Sequence, residues 1–369
     1  MQQAAIHLST SILGKIVPPQ QWSAKEAALL TEVDALCEAL RPLAFTNDKT
    51  GRYPTVSMAM LKETSVLQAA LPAELGGLGL GHRCTLEIQL RLACVDSAVA
   101  QIYKVHEELL REVLCYCPAF QRERIAAFVL QQRHILGLAV AEPNRSAVDP
   151  LKTMATATAD GGFVVDGFKI YTTGAAEADH IATWAWNAAS ATKESPVSGI
   201  QMLLIPRGTA GVTVNRDWDA LGQRATDSGS IKFTQVRCPP EWIASVPGKA
   251  PLIHSSVRYQ AGFAALLIGM GIGALNAAVP YINERSRPWA QAGVEKATAD
   301  PMILRTAGEL AADLAVAWAA TQQCGNLLDA FERGEIDRAQ LALPISAAKS
   351  AASRAAMAAT GGIHALMGT

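Results

Sequence analysis

The sequence is poor in charge: only 18% of its 369 residues are Asp, Glu, Lys or Arg, and 32 basic residues against 33 acidic ones leave a formal charge of −1. No basic stripe stands out to neutralise a phosphate backbone, so nucleic acid is not an expected partner. A cysteine framework is also missing. The seven cysteines are an odd number with no CxxC and no regular spacing, which excludes a disulfide scaffold and fits a reducing cytoplasm. The seven histidines form no HxxxH or HExxH pair, so no metal site is expected. The opening Met1-Gln-Gln-Ala-Ala-Ile has neither the basic start nor the apolar run of a signal peptide, and no export is expected.

What is present is apolar surface. Half of the residues are hydrophobic, and at about 150 residues per domain the length suggests two or three domains. With so little charge, much of the surface is expected to go into subunit contacts. Ala261 to Val279 contains Asn276 as its only polar residue and is long enough to span a bilayer. Its bulk is Ala and Gly, including Gly269, Gly271 and Gly273, with no second such segment to pack against. It therefore reads as the buried helix of a bundle, not as a membrane span.

Residues 1–133 read as a helical domain, with apolar repeats at three and four spacings in Ala24 to Leu40, Leu86 to Ala93 and Ile125 to Leu130. Leu71-Pro-Ala-Glu-Leu-Gly-Gly-Leu-Gly-Leu-Gly81 interrupts it as a shaped loop. No Lys follows that loop in P-loop spacing and no strand precedes it, which disfavours nucleotide binding there. Residues 134–246 carry short β-rich runs: Ile135 to Val140, Met154 to Ala159, Phe163 to Val165, Phe168 to Thr173, His180 to Trp186, Ile200 to Ile205, Val212 to Val214 and Ser230 to Val236. Turn signals at Asp160-Gly161-Gly162 and Asp166-Gly167 point to an antiparallel barrel or sandwich. Residues 247–369 return to Ala-rich helices at Leu252 to Tyr281, Pro301 to Glu332 and Ile336 to His364, three helices that need another element or another subunit to complete a bundle.

Four strings in this order resemble the acyl-CoA dehydrogenase superfamily. Leu71-Pro-Ala-Glu-Leu-Gly-Gly-Leu-Gly is similar to its Pro, Glu, Gly-Gly, Gly loop, and Ala139-Val-Ala-Glu142-Pro143 to its strand ending in Thr-Glu-Pro beside the flavin. Asp166-Gly-Phe-Lys169-Ile-Tyr171-Thr172-Thr173-Gly174 through Ala178-Asp179 is similar to its Gly, Lys, aromatic, Thr, Ala-Asp signature, and Leu221-Gly222-Gln-Arg224-Ala-Thr226-Asp-Ser228 to its Leu-Gly, Arg, Thr, Ser turn. Tyr171-Thr-Thr-Gly, Arg285-Ser-Arg287-Pro288-Trp289, Asp300-Pro301 and Gly308-Glu309-Leu310 look most like its flavin monooxygenase branch. The resemblance implies an α+β multidomain fold: an N-terminal helical domain, a central antiparallel β-barrel and a C-terminal helical bundle, assembled as a homotetramer around shared flavin sites.

It also implies a flavin, FAD or FMN, with Ala139, Ala141, Glu142, Tyr171, Thr172, Thr173, Arg285 and Arg287 as cofactor-binding residues. On an extended strand Tyr171 and Thr173 would share a face and Thr172 point away; taken alone, that run reads as barrel wall. Ala141 stands where the family has Thr, leaving only backbone groups to meet the ring. Arg285 and Arg287 lie where the family reaches a cofactor phosphate of the neighbouring subunit, although arginines after a helix end commonly face solvent. His106 lies where the monooxygenase branch has a histidine near the substrate, with a structural histidine as the alternative. Trp184 and Trp186 read as packing residues.

The resemblance gives three functional readings. The first is a flavin-dependent oxidoreductase that oxygenates a small apolar or sulfur-containing substrate with reduced flavin and O2, with a flavin reductase as partner. The second is an acyl-CoA dehydrogenase, and the third a non-catalytic member. Dehydrogenation needs a carboxylate to remove the α proton. The superfamily places it either near the far C-terminal end or on the first bundle helix, where counting back from Pro280-Tyr281 puts Tyr259. With a pKa of about 10, tyrosine is a poor base but a good hydrogen-bond donor. Family members also continue past the segment resembling Gly361 to Gly368 into a helix that helps close the flavin site, and without it weak flavin binding is expected.

Overall fold

The computed structural model describes residues 20–146, 149–192, 196–246 and 254–368. The opening residues, the expected helix start at Leu252 and Thr369 lie outside these. The N-terminal helices are α1 (Ala24–Thr50), α2 (Thr55–Lys62), α3 (His82–Ala93), α4 (Ser97–Tyr116) and α5 (Arg122–Leu130). Seven strands follow: β1 (Leu136–Ala139), β2 (Met154–Ala157), β3 (Phe163–Lys169), β4 (His180–Trp186), β5 (Ile200–Pro206), β6 (Val212–Val214) and β7 (Ile231–Cys238). The chain ends in α6 (Ser255–Glu284), α7 (Pro301–Glu332) and α8 (Arg338–Met367).

Several boundaries are local chemistry. Before α1, the Ser23 hydroxyl accepts from Glu26 N while the Glu26 carboxylate accepts from Ser23 N, a capping box. The Asp300 side chain caps α7, which has Pro301 in its first turn, and Asp337 with Gln340 forms a second capping box on α8. Helix α3 has Gly81 at its N-cap, with no side chain to offer. The Asp329 carboxylate of α7 takes that place, accepting from His82 N at 2.6 Å and Arg83 N at 3.3 Å. A Cβ on residue 81 would sit 2.7 Å from both Asp329 oxygens, so glycine there admits the borrowed cap.

The described residues fall into two compact units. One comprises residues up to Cys37, Gly81–Ala100 and those from Ser256 onward. Its core is built from Leu86 and Leu90 of α3, Ile268 and Ile272 of α6, Leu314 and Leu328 of α7, and Leu341 and Ile345 of α8. Helix α3 is thus the element that joins the three C-terminal helices. By length and composition α6 could cross a membrane, yet Ala261, Ala264, Ala265, Ile268, Ile272 and Ala278 all lie inside this core.

The α6 glycines explain that packing. A Cβ at Gly269 would lie 2.4 Å from the Leu90 carbonyl oxygen, and one at Gly273 2.4 Å from that of Cys94. The two backbones meet because these residues have no side chain. Gly269→Ala is therefore expected to destabilise the protein by about 1–3 kcal/mol through overpacking. Helix propensity alone would reward the same change by up to about 1 kcal/mol. Chemical denaturation distinguishes the signs, and a variant as stable as the parent would show that α6 and α3 can separate freely.

The other unit, Glu38–Leu80 and Gln101–Ser255, holds a seven-stranded sheet ordered β1-β4-β2-β3-β7-β6, with β5 also paired to β4. Contrary to the antiparallel barrel expected from sequence, the sheet is mixed. β1 and β4 run parallel, Leu136 opposite His180 and Ala139 opposite Thr183, and β2 meets β4 in the same sense at Met154 and Trp186. The reason is topological: β2 and β3, which lie between β1 and β4 in sequence, form an antiparallel hairpin on the far side of β4, and the chain returns beside β1 in the same direction.

Asp166-Gly167, expected as a turn between two strands, lies inside the single strand β3. The β3–β7 register shifts between Val165 and Gly167, and the Asp166 carboxylate accepts from Gln235 N at 2.8 Å. This is a bulge on β7, whose Thr234 and Gln235 stand opposite Asp166 alone, and β3 runs through it without ending. In the Leu71–Gly81 loop the N–H groups of Gly77, Leu78, Gly79 and Leu80 all donate to carbonyls of residues 68 to 72. They are spent on the loop itself and are not presented to a phosphate.

Candidate active site

The C-terminal end of β1 and the end of β3 come together around a buried ion pair. Lys169 Nζ lies 2.7 Å from Glu142 Oε1 and 3.1 Å from the Val140 carbonyl oxygen, and both side chains are fully buried. Glu142 also accepts from Lys152 N at 2.7 Å and Thr153 N at 2.8 Å. These hydrogen bonds outweigh its burial and hold its carboxyl below the usual range, while burial pulls Lys169 down to about 8. Next to the pair, Ile170 N donates to the Ala141 carbonyl oxygen at 2.9 Å, so the backbone of Ala141, an exposed residue, has a fixed orientation. The ordinary exposed carboxylate considered for Glu142 is not what the fold contains.

Residues 171–173 do not continue the strand as the sequence suggests. β3 ends at Lys169, and Tyr171 adopts φ +55°, the left-handed region that costs a non-glycine residue about 1–3 kcal/mol. The residue is 64% exposed. Because the backbone turns, alternation fails: Tyr171 points outward and both threonines are buried. Thr172 Oγ1 donates to the Gly229 carbonyl oxygen at 2.8 Å, and Thr173 Oγ1 lies 2.9 Å from Ser228 Oγ. Leu138 N of β1 donates to the Thr173 carbonyl oxygen, which ties the segment to the strand that ends at Ala139. Ala139 is itself fixed by Thr183 Oγ1, which donates to its carbonyl oxygen at 2.8 Å.

Trp218, which the sequence did not single out, stands edge-on to Tyr171 with centroids 6.1 Å apart and donates from its indole to the Gln223 carbonyl oxygen. Its only signal was its place three residues before Leu221-Gly222. The loop carrying it is clamped by Arg216 to Asp227 at 2.6 Å and by Asp217, which accepts from Ser230 N and Oγ. A rigid aromatic pair, Tyr171 exposed and Trp218 half-buried, beside buried hydroxyls and an oriented backbone can hold a planar heterocyclic ligand.

His106 belongs to the same unit and is almost wholly buried. Its Nδ1 accepts from Leu136 N at 3.1 Å, and its Nε2 lies 3.4 Å from the Leu67 carbonyl oxygen. Burial drives it down to about 4, so it is neutral and joins β1 to the 66–68 turn. Tyr259, Arg285 and Arg287 lie in the other unit. Tyr259 is half-buried near the start of α6, with the Arg258 guanidinium 5.6 Å from its ring centroid. Arg285 and Arg287 follow the end of α6 and are exposed, Arg285 lying over the Tyr281 ring. Helix α6 carries no Asp or Glu before Glu284.

Comparison with known proteins places this geometry. Residues 23–130 match the family described as acyl-CoA dehydrogenase, N-terminal domain, and residues 137–236 match its middle domain. Dibenzothiophene monooxygenase of Rhodococcus erythropolis is 30% identical over 349 residues, covering 90% of this chain and 82% of the relative. The chain belongs to the acyl-CoA dehydrogenase superfamily, in its flavin-dependent monooxygenase branch. The probable FMNH2-dependent monooxygenase SfnC of Pseudomonas putida is 28% identical, covering 84% of this chain and 78% of the relative. The crystal structure of FMN-bound TdsC from Paenibacillus sp. A11-2 superposes with a TM-score of 0.85 at 30% identity, covering 93% of this chain and 88% of that one. Isovaleryl-CoA dehydrogenase of Arabidopsis thaliana is more distant, 27% identical over 67% of this chain and 61% of the relative. The superfamily is thus one of flavin-dependent oxidoreductases, and the residues around Tyr171, Thr173 and Ala141 fit a flavin: an exposed ring to stack on, buried hydroxyls and a fixed main chain.

Proposed function

We propose that this protein is a flavin-dependent monooxygenase that uses reduced FMN and O2 to oxygenate a small apolar or sulfur-containing substrate. The observation that carries this reading is the 30% identity to a dibenzothiophene monooxygenase across 90% of the chain. It is supported by tyrosine at position 259 on a helix with no carboxylate before Glu284. When bound, reduced flavin supplies two electrons and an oxygen-reactive ring, one oxygen atom going to the substrate and the other to water. The protein's part is to position and exclude. Tyr171 and Trp218 form the aromatic wall, Ala139, Ala141, Thr172 and Thr173 set the ligand-facing main chain and hydroxyls, and the Lys169–Glu142 pair holds that chain in place. Tyr259 serves as a hydrogen-bond donor rather than a base, His106 orders the start of β1, and Arg285 and Arg287 provide guanidinium groups suited to a phosphate.

Because FMNH2 must come from elsewhere, a flavin reductase is the implied partner in the cytoplasm. The exposed Val316, Leu343 and Met357 of α7 and α8 suit a homotetramer; light scattering at micromolar concentration tests this, and a monomer would refute it.

The test of the chemistry separates oxygenase from dehydrogenase. Oxygen-dependent turnover is expected when reduced FMN is supplied with a fused thiophene or indole probe, and little dehydrogenation of any acyl-CoA with an artificial electron acceptor. Rapid anaerobic bleaching of bound flavin by a straight-chain or branched acyl-CoA would overturn the oxygenase reading in favour of dehydrogenation. Failure to bind either oxidised or reduced flavin would favour a non-catalytic member.

A further inference from the structure

Behind Thr173 runs a chain of hydroxyls that ends on a carbonyl. Thr173 Oγ1 lies 2.9 Å from Ser228 Oγ, which lies 2.7 Å from Thr226 Oγ1, which donates to the Gln223 carbonyl oxygen at 2.8 Å. The three residues are 9%, 5% and 1% exposed in that order. Each hydroxyl has one hydrogen to give, and a carbonyl oxygen can only accept. Thr226 therefore spends its hydrogen on Gln223. Ser228 must then give its hydrogen to Thr226, and Thr173 must give its own to Ser228. No other assignment makes all three contacts hydrogen bonds. Thr173 is left with lone pairs alone to offer a ligand.

We propose that this chain locks Thr173 as a hydrogen-bond acceptor and so makes the site select reduced over oxidised flavin, with Ser228 and Thr226 as the positioning residues. The proposal rests on the flavin reading above. Reduction turns ring nitrogen from acceptor into N–H donor. An acceptor-only hydroxyl therefore bonds the reduced ring and meets the oxidised one lone pair against lone pair. A freely rotating hydroxyl would serve both states equally. For an enzyme that takes up FMNH2 made elsewhere, such a lock lets the cofactor arrive reduced and leave once oxidised.

The measurement is the dissociation constant of oxidised FMN in air and of reduced FMN under anaerobic dithionite, for the parent protein and three variants. Ser228→Ala frees the Thr173 hydrogen, Thr226→Val lets Ser228 point back at Thr173, and Thr173→Val removes the acceptor while keeping the shape. The parent is expected to bind reduced FMN more tightly. Each variant is expected to lose about tenfold of that preference, as one hydrogen bond supports, lowering the two-electron midpoint potential of bound FMN by about 30 mV. Ser228→Ala and Thr226→Val should act through tighter oxidised binding as well as weaker reduced binding, and Thr173→Val through weaker reduced binding together with relief of the lone-pair contact to the oxidised ring. Equal weakening of both redox forms, or an unchanged ratio in both chain variants, would overturn the inference while leaving the flavin reading intact. Absence of binding in the parent would instead overturn the flavin reading and the inference with it.

Discussion

Lys169→Met is expected to lower the stability of the protein by about 3–5 kcal/mol, the cost of leaving a buried carboxylate without its counter-ion. Glu142 is fully buried at its side chain and its nearest cation is Lys169 at 2.7 Å; the Arg145 guanidinium is 3.9 Å away. Two backbone N–H donors remain in the variant, from Lys152 and Thr153, but they carry no full charge. The double variant Lys169→Met, Glu142→Gln removes both charges together and is expected to recover much of the loss, because an absent pair costs less than a broken one. Urea or guanidinium denaturation of the parent, Lys169→Met, Glu142→Gln and the double variant measures the coupling. A single variant within 1 kcal/mol of the parent would show that the pair behaves like a surface ion pair. The consequence for function is local, since Lys169 also donates to the Val140 carbonyl oxygen immediately before the exposed residue Ala141.

Stability is also expected to fall steeply between about pH 6.5 and pH 4, well before carboxylate protonation completes acid unfolding. His106 and His180 are both held down to about 4 by burial, and His180 is stacked on Phe128 at 4.2 Å with His134 tilted against it at 5.1 Å. In this window the unfolded chain binds protons that the folded imidazoles refuse, so lowering the pH favours unfolding. Above about 6.5 both imidazoles are neutral in either state and the contribution is fully present; it is lost as pH falls to about 4. Each buried histidine contributes about 3 kcal/mol over the whole window by linkage. His180→Phe keeps the aromatic stack and removes one titrating group. Its stability curve should be flatter by about one proton's slope, roughly 1.4 kcal/mol per pH unit. Parallel curves for parent and variant would refute the assignment.

Much of the architecture was legible because it is written locally. Asp300-Pro301 and Asp337 to Gln340 set the starts of α7 and α8, and β4 and β6 were bounded as observed because a short β-prone run between turn signals carries its own limits. The family signature also named segments that the fold brings together: Ile170 N donates to the Ala141 carbonyl oxygen, and Ser228 of the Leu221 to Ser228 turn meets Thr173. The helix around His106 was harder to delimit. α4 buries the Lys104–Glu108 ion pair at 2.8 Å and pairs Glu107 with Arg111, so its apolar period is broken by charges that read as surface.

What only the tertiary structure decided depends on partners distant in sequence. The parallel pairing of β1 with β4 joins residues more than forty positions apart, and no local pattern encodes the direction in which a chain returns. The Asp166-Gly167 pair stays within a strand rather than forming a turn because β7 pairs on both sides of it and itself carries the extra residue of the bulge, Thr234 and Gln235 standing opposite Asp166 alone. Tyr171 is outward and left-handed because Thr172 and Thr173 are pinned to Gly229 and Ser228, which overrides the strand alternation their own propensities favour. The sequence determined that a threonine stands at 173; the direction of its hydrogen follows from a carbonyl fifty residues later, at Gln223, that folding alone brings to the end of the chain of hydroxyls.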